Sequence, residues 1–384
     1  MIFWMMEYMV PQATEEVSEN SLLQLFKELN RVGLTSVIDA GSSEGYPHPK
    51  AIQKVVAKNK TLPLRISFID SGDERKGMTM VDEVIDGVTR QAPMSRGQNL
   101  HPTMEHGYEY EGVGEVISFT LLDFENFDHP PHVLDKKLIM DEITTDIAKL
   151  LKRRTPFRIH ATYDENITVI LDALEALDEK LPFDGLRWAI EHGEMISLEN
   201  IKRVKKLGGG ITIQDKMAFH GDAFIKTYGK EKALKTPPIR TILDMGVPTA
   251  LGTDGLRVGS FNPWVTIYWV TTGKSVSGTE VLGKDNRLTR EEALKLYTIG
   301  SAWFQYDEDE KGRIAPGQLA DFIVLNKDYM TVPDEEILEI HSIMTVVDGR
   351  IVYGEGRYEQ HAPVIPEPIP SWSPVKYYPG YYHK

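Results

Sequence analysis

Short apolar runs of β-like composition alternate with helical patterns along most of the chain. The β-like runs are Gly33–Gly41, Leu62–Asp70, Gly112–Asp123, Pro156–Tyr163, Gly185–Ile196, Gly208–Asp215 and Val247–Gly255. Around and between them, apolar residues at helical spacing predict helices at Ser21–Val32, Asp135–Lys152, Asn166–Leu177, Leu198–Leu207 and Pro238–Met245. Such alternation is typical of βαβ units and predicts an α/β fold with a parallel sheet, a TIM-type (β/α)8 barrel that lacks one strand.

The C-terminal part of the sequence has a different pattern. Gly312–Asn326 and Ile343–Gly354 have β-like patterns, and Asp348-Gly349 is typical of a hairpin turn. These stretches predict a small β module beside the barrel. The residues after His361 are rich in proline and aromatic side chains, which predicts an extended arm packed on a surface.

We therefore expect four segments. They are an N-terminal segment with an entry helix (1–32), a barrel (33–305), a small β-sandwich module (306–356) and a C-terminal arm (357–384).

Composition narrows the possible functions. Hydrophobic residues make up 41% and charged residues 26% of the 384 residues, which is ordinary for a globular protein. The chain contains no cysteine, so disulfides, thiolate nucleophiles and sulfur-ligated zinc are excluded. Its net charge of −14 disfavours a nucleic-acid partner, because an acidic surface repels phosphate.

The sequence contains no segment that approaches the ~20 continuous apolar residues needed to cross a bilayer. The apolar start, Met1–Val10, is interrupted by Glu7 and has no basic residue before it, which fits a signal peptide badly. We therefore expect a cytoplasmic protein without a membrane partner.

Three metal-capable side chains lie near the C-terminal ends of predicted strands: His160, His192 and Asp254. In a barrel of this type, such strand ends face one cavity. A single histidine there is more often structural, but the matching positions on three strands favour a common site. Two imidazoles and a carboxylate suit a divalent ion such as Zn²⁺, which would activate a water, and Asp254 would accept its proton.

Several motifs together resemble the metal-dependent amidohydrolase superfamily, in particular its family-3, YtcJ-like branch. The resemblance covers the chain from about Gly33 to Gly354. Its motifs are GLTSVIDAG, HATYD (His160–Asp164), RWAIEHG (Arg187–Gly193), LGTDG (Leu251–Gly255), LTREEALKLYTIGSA, GRIAPGQLADFIVL and TVVDGRIVYG. The GRIAPGQLADFIVL element is fairly specific to amidohydrolases that carry a β-sandwich.

The resemblance implies a distorted TIM barrel with a small β-sandwich. It also implies one or two divalent metals, usually zinc, and hydrolysis of amide or other non-peptide C–N bonds in small molecules. His160 and His192 resemble the metal-binding histidines of the fifth and sixth barrel strands, and Asp254 resembles the aspartate of the eighth, which binds metal and shuttles protons. The matching positions Asp164, Arg187 and Glu191 are expected to support the metal ligands without binding the metal themselves.

The sequence departs from the family at its start. No His-x-His pair, which ends the family's first strand, occurs in the chain, and the bridging lysine of the fourth strand is not visible. Met1 corresponds to a point inside the insertion that follows that strand, so we expect an N-terminally shortened chain. Glu115 is a candidate replacement for the lysine, although a salt bridge at a strand end explains it equally well. With these ligands missing, one ion is expected rather than two.

Three further expectations follow. A barrel without its first strand exposes two parallel edges, so the apolar start, the arm or a second copy is expected to cover them, and we expect a homo-oligomer. His220 is a candidate contact for a small-molecule substrate, although a loop role is favoured. The alternatives to an enzyme are a non-catalytic barrel without its metal centre, or a protein that binds a small ligand by stacking on Trp264, Tyr268 and Trp269; these aromatics are also typical of a helix core.

Overall fold

A curved sheet of parallel strands forms the centre of the computed structural model. The structure describes residues 14–42, 52, 54–56, 58, 61–71, 81, 95–117, 123, 127–129, 131, 134–255 and 259–369. Seven parallel strands pair in the order β1-β2-β4-β5-β6-β7-β8, and the short β3 pairs antiparallel to β4. Their bounds are Ser36–Ser42 (β1), Arg65–Asp70 (β2), Gln98–Asn99 (β3), Tyr108–Val113 (β4), Phe157–Ala161 (β5), Trp188–His192 (β6), Gly210–Ile213 (β7) and Thr249–Leu251 (β8).

From β4 onward, helices connect each strand of the barrel to the next, as the alternating pattern predicts. Those of the barrel region are Lys136–Lys152, Asp164–Asp178, Leu198–Lys206, Lys216–Tyr228, Lys230–Ala233, Ile239–Asp244, Pro263–Thr272, Arg290–Lys295 and Ser301–Trp303, with a π-helical turn at Leu296–Gly300. Asp135 begins the first of them, since its carboxylate accepts a 2.9 Å hydrogen bond from the backbone N–H of Leu138. Among the described residues, none of the helices is both long and apolar enough to span a membrane.

The third predicted strand was placed too late in the chain. The sequence predicts it at Gly112–Asp123, whereas β4 occupies Tyr108–Val113. Glu109 and Glu111 give this stretch a polar pattern, which does not predict a buried strand. In the structure, however, both side chains are almost completely buried. They alternate with the buried Tyr108 and Tyr110, so both faces of this strand are covered.

Across the residues that the structure describes, the parallel sheet has seven strands and is open, in agreement with the predicted barrel that lacks one strand. β1 and β8 are the two ends of the strand order, and no pairing joins them in the described part of the chain. Phe304 packs on Ala189 and Ala250, and Trp303 and the β1 residue Ile38 pack against the same cluster. Two aromatic rings thus occupy the space near these strands. The apolar start and the end of the arm, which are candidates to cover the edges, lie outside the described residues.

A second, antiparallel sheet forms the small β module. Its strands Phe322–Leu325 (β9), Ser342–Val347 (β10) and Arg350–Gly354 (β11) pair in the order β11-β10-β9. Asp348 and Gly349 link β10 to β11 with φ values of 55° and 70°, the left-handed geometry that the predicted hairpin turn requires.

The first helix, Glu15–Arg31, packs on the small sheet. The hydroxyl of Thr345 in β10 donates a 2.6 Å hydrogen bond to the Asn30 carbonyl. On another side of this helix, Asn20 donates to the Glu367 carbonyl and accepts from the Ile369 backbone N–H. These two hydrogen bonds hold the described part of the arm against the first helix.

Candidate metal centre

His160 and His192 meet at the carboxyl ends of two paired strands. In the register of β5 and β6, His160 lies beside Glu191, so regular alternation would turn His192 to the opposite face of the sheet. His192 breaks the alternation with a left-handed φ of 78°. The two imidazole rings end 4.4 Å apart, measured between centroids.

Glu115 joins the histidines from the segment that follows β4. Its backbone N–H donates to the Ala40 carbonyl in β1, and its own carbonyl accepts from the His160 N–H in β5, so two strands hold it. The Oε2 atom of Glu115 lies 2.9 Å from His192 Nε2 and 3.6 Å from His160 Nδ1. All three side chains are mostly shielded from solvent.

This donor set fits a divalent cation. One ligand atom from each of Glu115, His160 and His192 lies within 4.8 Å of the other two. Ligands of a tetrahedral zinc with bonds of about 2.05 Å are about 3.4 Å apart, close to the observed separations. The buried His192 Nε2 makes no hydrogen bond within the described structure, although Glu115 Oε2 is nearby. Such a geometry suits two ligands that face a common ion.

The charges of the three groups are strongly coupled. Burial opposes ionisation of Glu115, but the charges of His192 and His160 outweigh burial and lower the pKa of Glu115 below its ordinary value. Burial likewise opposes protonation of His192, yet the Glu115 charge raises the pKa of His192 to about 9. A carboxylate is thus held ionised at this position, which is the state in which it binds a cation.

Asp123 supports the centre, and the sequence analysis missed it. Its two carboxylate oxygens accept hydrogen bonds from the backbone N–H groups of Thr162 and Tyr163, and Asn166 donates a third. Oδ1 lies 3.4 Å from His160 Nε2. Asp123 therefore orients both the imidazole and the turn after it. The available signal was its place at the end of the apolar run Gly112–Asp123.

The structure does not place Asp254 in the same donor group. Within the described part of the chain, the group of atoms within 4.8 Å of one another contains Glu115 and the two histidines. Asp254 follows β8 on an exposed segment with a φ of 46°. Its charge acts on the buried Asp215 after β7, where burial is the larger cause that raises the pKa of Asp215. Its roles as ligand and proton shuttle stay predictions.

The three expected supporting residues have different positions. Asp164 accepts hydrogen bonds from the Ser197 N–H and the Asn200 side chain, and so anchors the turn after β6. Glu191 lies beside His160 in the register and accepts from Arg158. Both lie near the histidines, and their supporting role stays a prediction.

Arg187 corrects the third expectation. It precedes β6 at the amino end of the strand, whereas His192 is at the carboxyl end. Its guanidinium pairs with Glu308 and stacks on the rings of Trp303 and Tyr306. Arg187 therefore holds the segment after the last barrel helix and does not support the ligands. The motif match could not show this, because it carries no information on which strand end a side chain reaches.

His220 lies on the helix Lys216–Tyr228 rather than in a loop. It is half-buried, one turn beyond Asp215. Glu194 and Gln214 were not predicted, yet both are buried at the ends of β6 and β7, and the Gln214 side-chain amide donates a 2.8 Å hydrogen bond to Glu194.

A second cluster of ionisable groups lies at the other end of β4. His106 Nδ1 is 2.9 Å from Glu109 Oε2, and His106 Nε2 is 2.8 Å from Glu310 Oε2. Asp307 adds a carboxylate oxygen 3.6 Å from Nδ1. Because His106 precedes β4 and Glu115 follows it, the two clusters occupy opposite ends of the strand.

Two solved structures with a similar fold are hydrolases by their titles. An uncharacterized metal-dependent hydrolase from Pyrococcus furiosus superposes with a TM-score of 0.61 at 21% identity, covering 84% of this chain and 62% of that one. The atrazine chlorohydrolase TrzN from Arthrobacter aurescens TC1, solved with zinc, superposes with a TM-score of 0.57 at 15% identity, covering 92% and 74% of the two chains. At such identities the likeness is one of fold, and it confirms the TIM-type architecture.

Two curated relatives match about half of the chain. An N-substituted formamide deformylase from Arthrobacter pascens is 29% identical over 197 residues, which are 51% of this chain and 36% of that protein. The putative amidohydrolase YtcJ from Bacillus subtilis is 27% identical over 210 residues, which are 54% of this chain and 39% of that protein. The chain thus spans less than half of the length of these relatives.

The family assignment rests on a longer match. The model of the amidohydrolase family matches residues 3–353, which include β1 to β10 and most of β11. It spans both sheets and every residue of the candidate centre. The chain therefore belongs to the amidohydrolase family.

Proposed function

We propose that this chain is a metal-dependent hydrolase that cleaves an amide or related non-peptide C–N bond of a small molecule. The observation that carries the proposal is the convergence of Glu115, His160 and His192 within 4.8 Å at the carboxyl ends of the strands. Zn²⁺ is the ion we propose, in one copy, because two imidazoles and a carboxylate leave its fourth position open. Similarity to an N-substituted formamide deformylase favours formamide-like substrates.

In the proposed reaction, each residue of the site has its own role. Glu115, His160 and His192 would hold the ion, which would supply Lewis acidity toward the substrate carbonyl and a water. Water adds to the carbonyl carbon, the C–N bond breaks, and the nitrogen leaves as an amine. Asp254, exposed after β8, takes the proton of the water and passes it to that nitrogen. Asp123 keeps the His160 ring in place.

The alternative of a protein that stacks a ligand on aromatic residues has less support. Trp264, Tyr268 and Trp269 lie on the helix Pro263–Thr272 and are 2%, 6% and 0% exposed. They form helix core, as their spacing predicts, and present no free ring face to a ligand. The other alternative, a barrel without metal, is an outcome of the experiment below.

The test is a measurement of metal content and metal-dependent turnover. The purified chain is stripped with a chelator, reloaded with Zn²⁺ or Mn²⁺, and assayed for amine release from N-substituted formamides, acetamides and ureas. We expect about one equivalent of bound zinc and turnover that follows it. His192→Ala should lose both while keeping its circular dichroism, and His361→Ala, which alters an exposed histidine, should lose neither.

Two results would overturn the proposal. One is less than about a tenth of an equivalent of metal after reloading. The other is unchanged metal content in His192→Ala, which would remove His192 from the site.

A further inference from the structure

Gln214 extends the inward face of the sheet beyond the end of β7. Thr212 lies on this face, since it is beside Glu191 in the register and donates its hydroxyl to the Glu191 carboxylate. Gln214 follows two residues later, so strand alternation turns its side chain to the same side, at the carboxyl end where His160 and His192 lie. It is 4% exposed.

The orientation of the Gln214 amide is fixed by Glu194. The Nε2 group donates a 2.8 Å hydrogen bond to Glu194 Oε1, and a carboxylate can only accept. The amide oxygen must therefore face away from Glu194. This oxygen is buried and receives no hydrogen bond from the residues that the structure describes. A buried acceptor without a donor is unfavourable, which points to a donor supplied from outside the chain.

This acceptor lies next to the candidate metal centre. Glu194 follows His192 by two residues, and the backbone N–H groups on either side of it, those of Gly193 and Met195, donate to the carbonyls of Ala161 and Thr162, directly after His160. Gln214 is bonded to Glu194 and is thus one side chain away from the ligand group. A substrate whose carbonyl is held at the centre would bring the atom attached to its carbonyl carbon, the amide nitrogen, near this oxygen.

We propose that Gln214 Oε1 accepts a hydrogen bond from the N–H group of the substrate amide, so that the site selects primary and N-monosubstituted amides over N,N-disubstituted ones. This inference rests on the proposed function and names its substrate class. A site built around a polar acceptor disfavours an analogue that lacks the matching donor, because the acceptor is then left buried and unpaired. An N-methyl group would add a steric conflict in the same place.

The experiment uses a matched pair of substrates, N-butylformamide and N-butyl-N-methylformamide, with the zinc-loaded full chain. The wild type should favour the N–H compound by at least ~10-fold in kcat/KM. Gln214→Met should lower kcat/KM for the N–H compound ~10–100-fold and change that for the N-methyl compound by less than ~3-fold. Gln305→Met is the control, because Gln305 is equally buried but follows the last barrel helix, and it should leave the ratio unchanged.

The possible failures are distinguishable. Metal-dependent turnover with the same ratio in Gln214→Met, or an equal loss for both compounds, overturns the role of Gln214 and leaves the proposed function intact. If the zinc-loaded wild type hydrolyses neither compound, the inference fails together with the formamide assignment.

Discussion

Glu115 Oε2 lies 2.9 Å from His192 Nε2, although 77 positions separate the two residues in the sequence. The contact joins the segment after β4 to the end of β6 and passes across β5, which lies between them in the sheet. His160, on that middle strand, completes the group. A carboxylate placed against two buried imidazoles is the relationship from which the metal proposal derives.

We predict that Glu115→Gln weakens zinc binding by at least ~10-fold, because a neutral amide oxygen replaces an anionic ligand. The pKa of His192 should fall at the same time, since the Glu115 charge is what raises it. Competition with a chromogenic chelator measures the affinity, and NMR titration of the zinc-free protein measures the pKa. Glu199→Gln, which alters a carboxylate that is 75% exposed, is the control. Equal zinc affinity in Glu115→Gln and wild type would exclude Glu115 as a ligand.

Asp123→Asn should affect both the metal and the fold. Both carboxylate oxygens accept backbone N–H groups, so the asparagine must turn one N–H toward another donor. We expect a loss of ~10–100-fold in zinc affinity and of about 1–3 kcal/mol in the free energy of unfolding. Chelator competition and urea unfolding measure the two effects, with Asp141→Asn on an exposed helix surface as the control. Unchanged affinity would mean that Asp123 does not orient His160.

Asp254→Asn separates the two roles that the sequence predicts for this residue. Because Asp254 lies outside the group of mutually close donor atoms, we expect the variant to keep its zinc. Loss of the proton shuttle should reduce kcat by ~10²–10⁴-fold. Metal analysis and amine release on the same preparation test this, and Asp244→Asn, also exposed, serves as control. Zinc loss in Asp254→Asn would instead identify Asp254 as a ligand.

The His106 cluster should make stability depend on pH. Its hydrogen bond with Glu109 raises the pKa of His106 to about 9, against the effect of burial. The pKa of His106 is about 6.5 in the unfolded chain and higher in the folded protein, so its protonation favours the folded state. This stabilisation is complete below about pH 6.5 and decreases as the pH rises toward 9. His106→Gln should therefore cost on the order of 2–3 kcal/mol at about pH 6 and much less at about pH 9.5.

Urea unfolding at the two pH values measures this difference. His361→Gln, at an exposed position, should cost little at either pH. A cost of His106→Gln that is the same at both values would contradict the prediction.

The open sheet leads us to propose a homo-oligomer. β1 and β8 are the unjoined ends of the strand order in the described part of the chain. Unpaired backbone groups at parallel edges favour pairing or cover by another segment. Light scattering at micromolar concentration should give a mass above the 43.5 kDa of one chain, and a monomeric mass would contradict the proposal.

The alternation of apolar runs with helical patterns determined the architecture. Short, continuous apolar runs suit strands that are buried on both faces, and apolar residues at period 3.6 suit helices with one buried face. The sequence alone therefore predicted the parallel sheet, the open barrel and the hairpin at Asp348-Gly349. It misplaced the strand Tyr108–Val113 because Glu109 and Glu111 are ionisable yet buried. Only the tertiary structure brings His106 to Glu109 and buries Glu111 so that its pKa rises to about 8.

For the candidate centre, too, the sequence determined some features and the tertiary structure decided the others. Sequence determined that His160 and His192 end neighbouring strands, since a motif fixes position along the chain. Tertiary structure decided that Glu115 and Asp123 face them, that Asp254 is outside the donor group, and that Arg187 lies at the other strand end. The physical reason is that ligation depends on distance and direction between side chains. These follow from sheet register and from single backbone angles, such as the φ of 78° at His192, which no local pattern specifies.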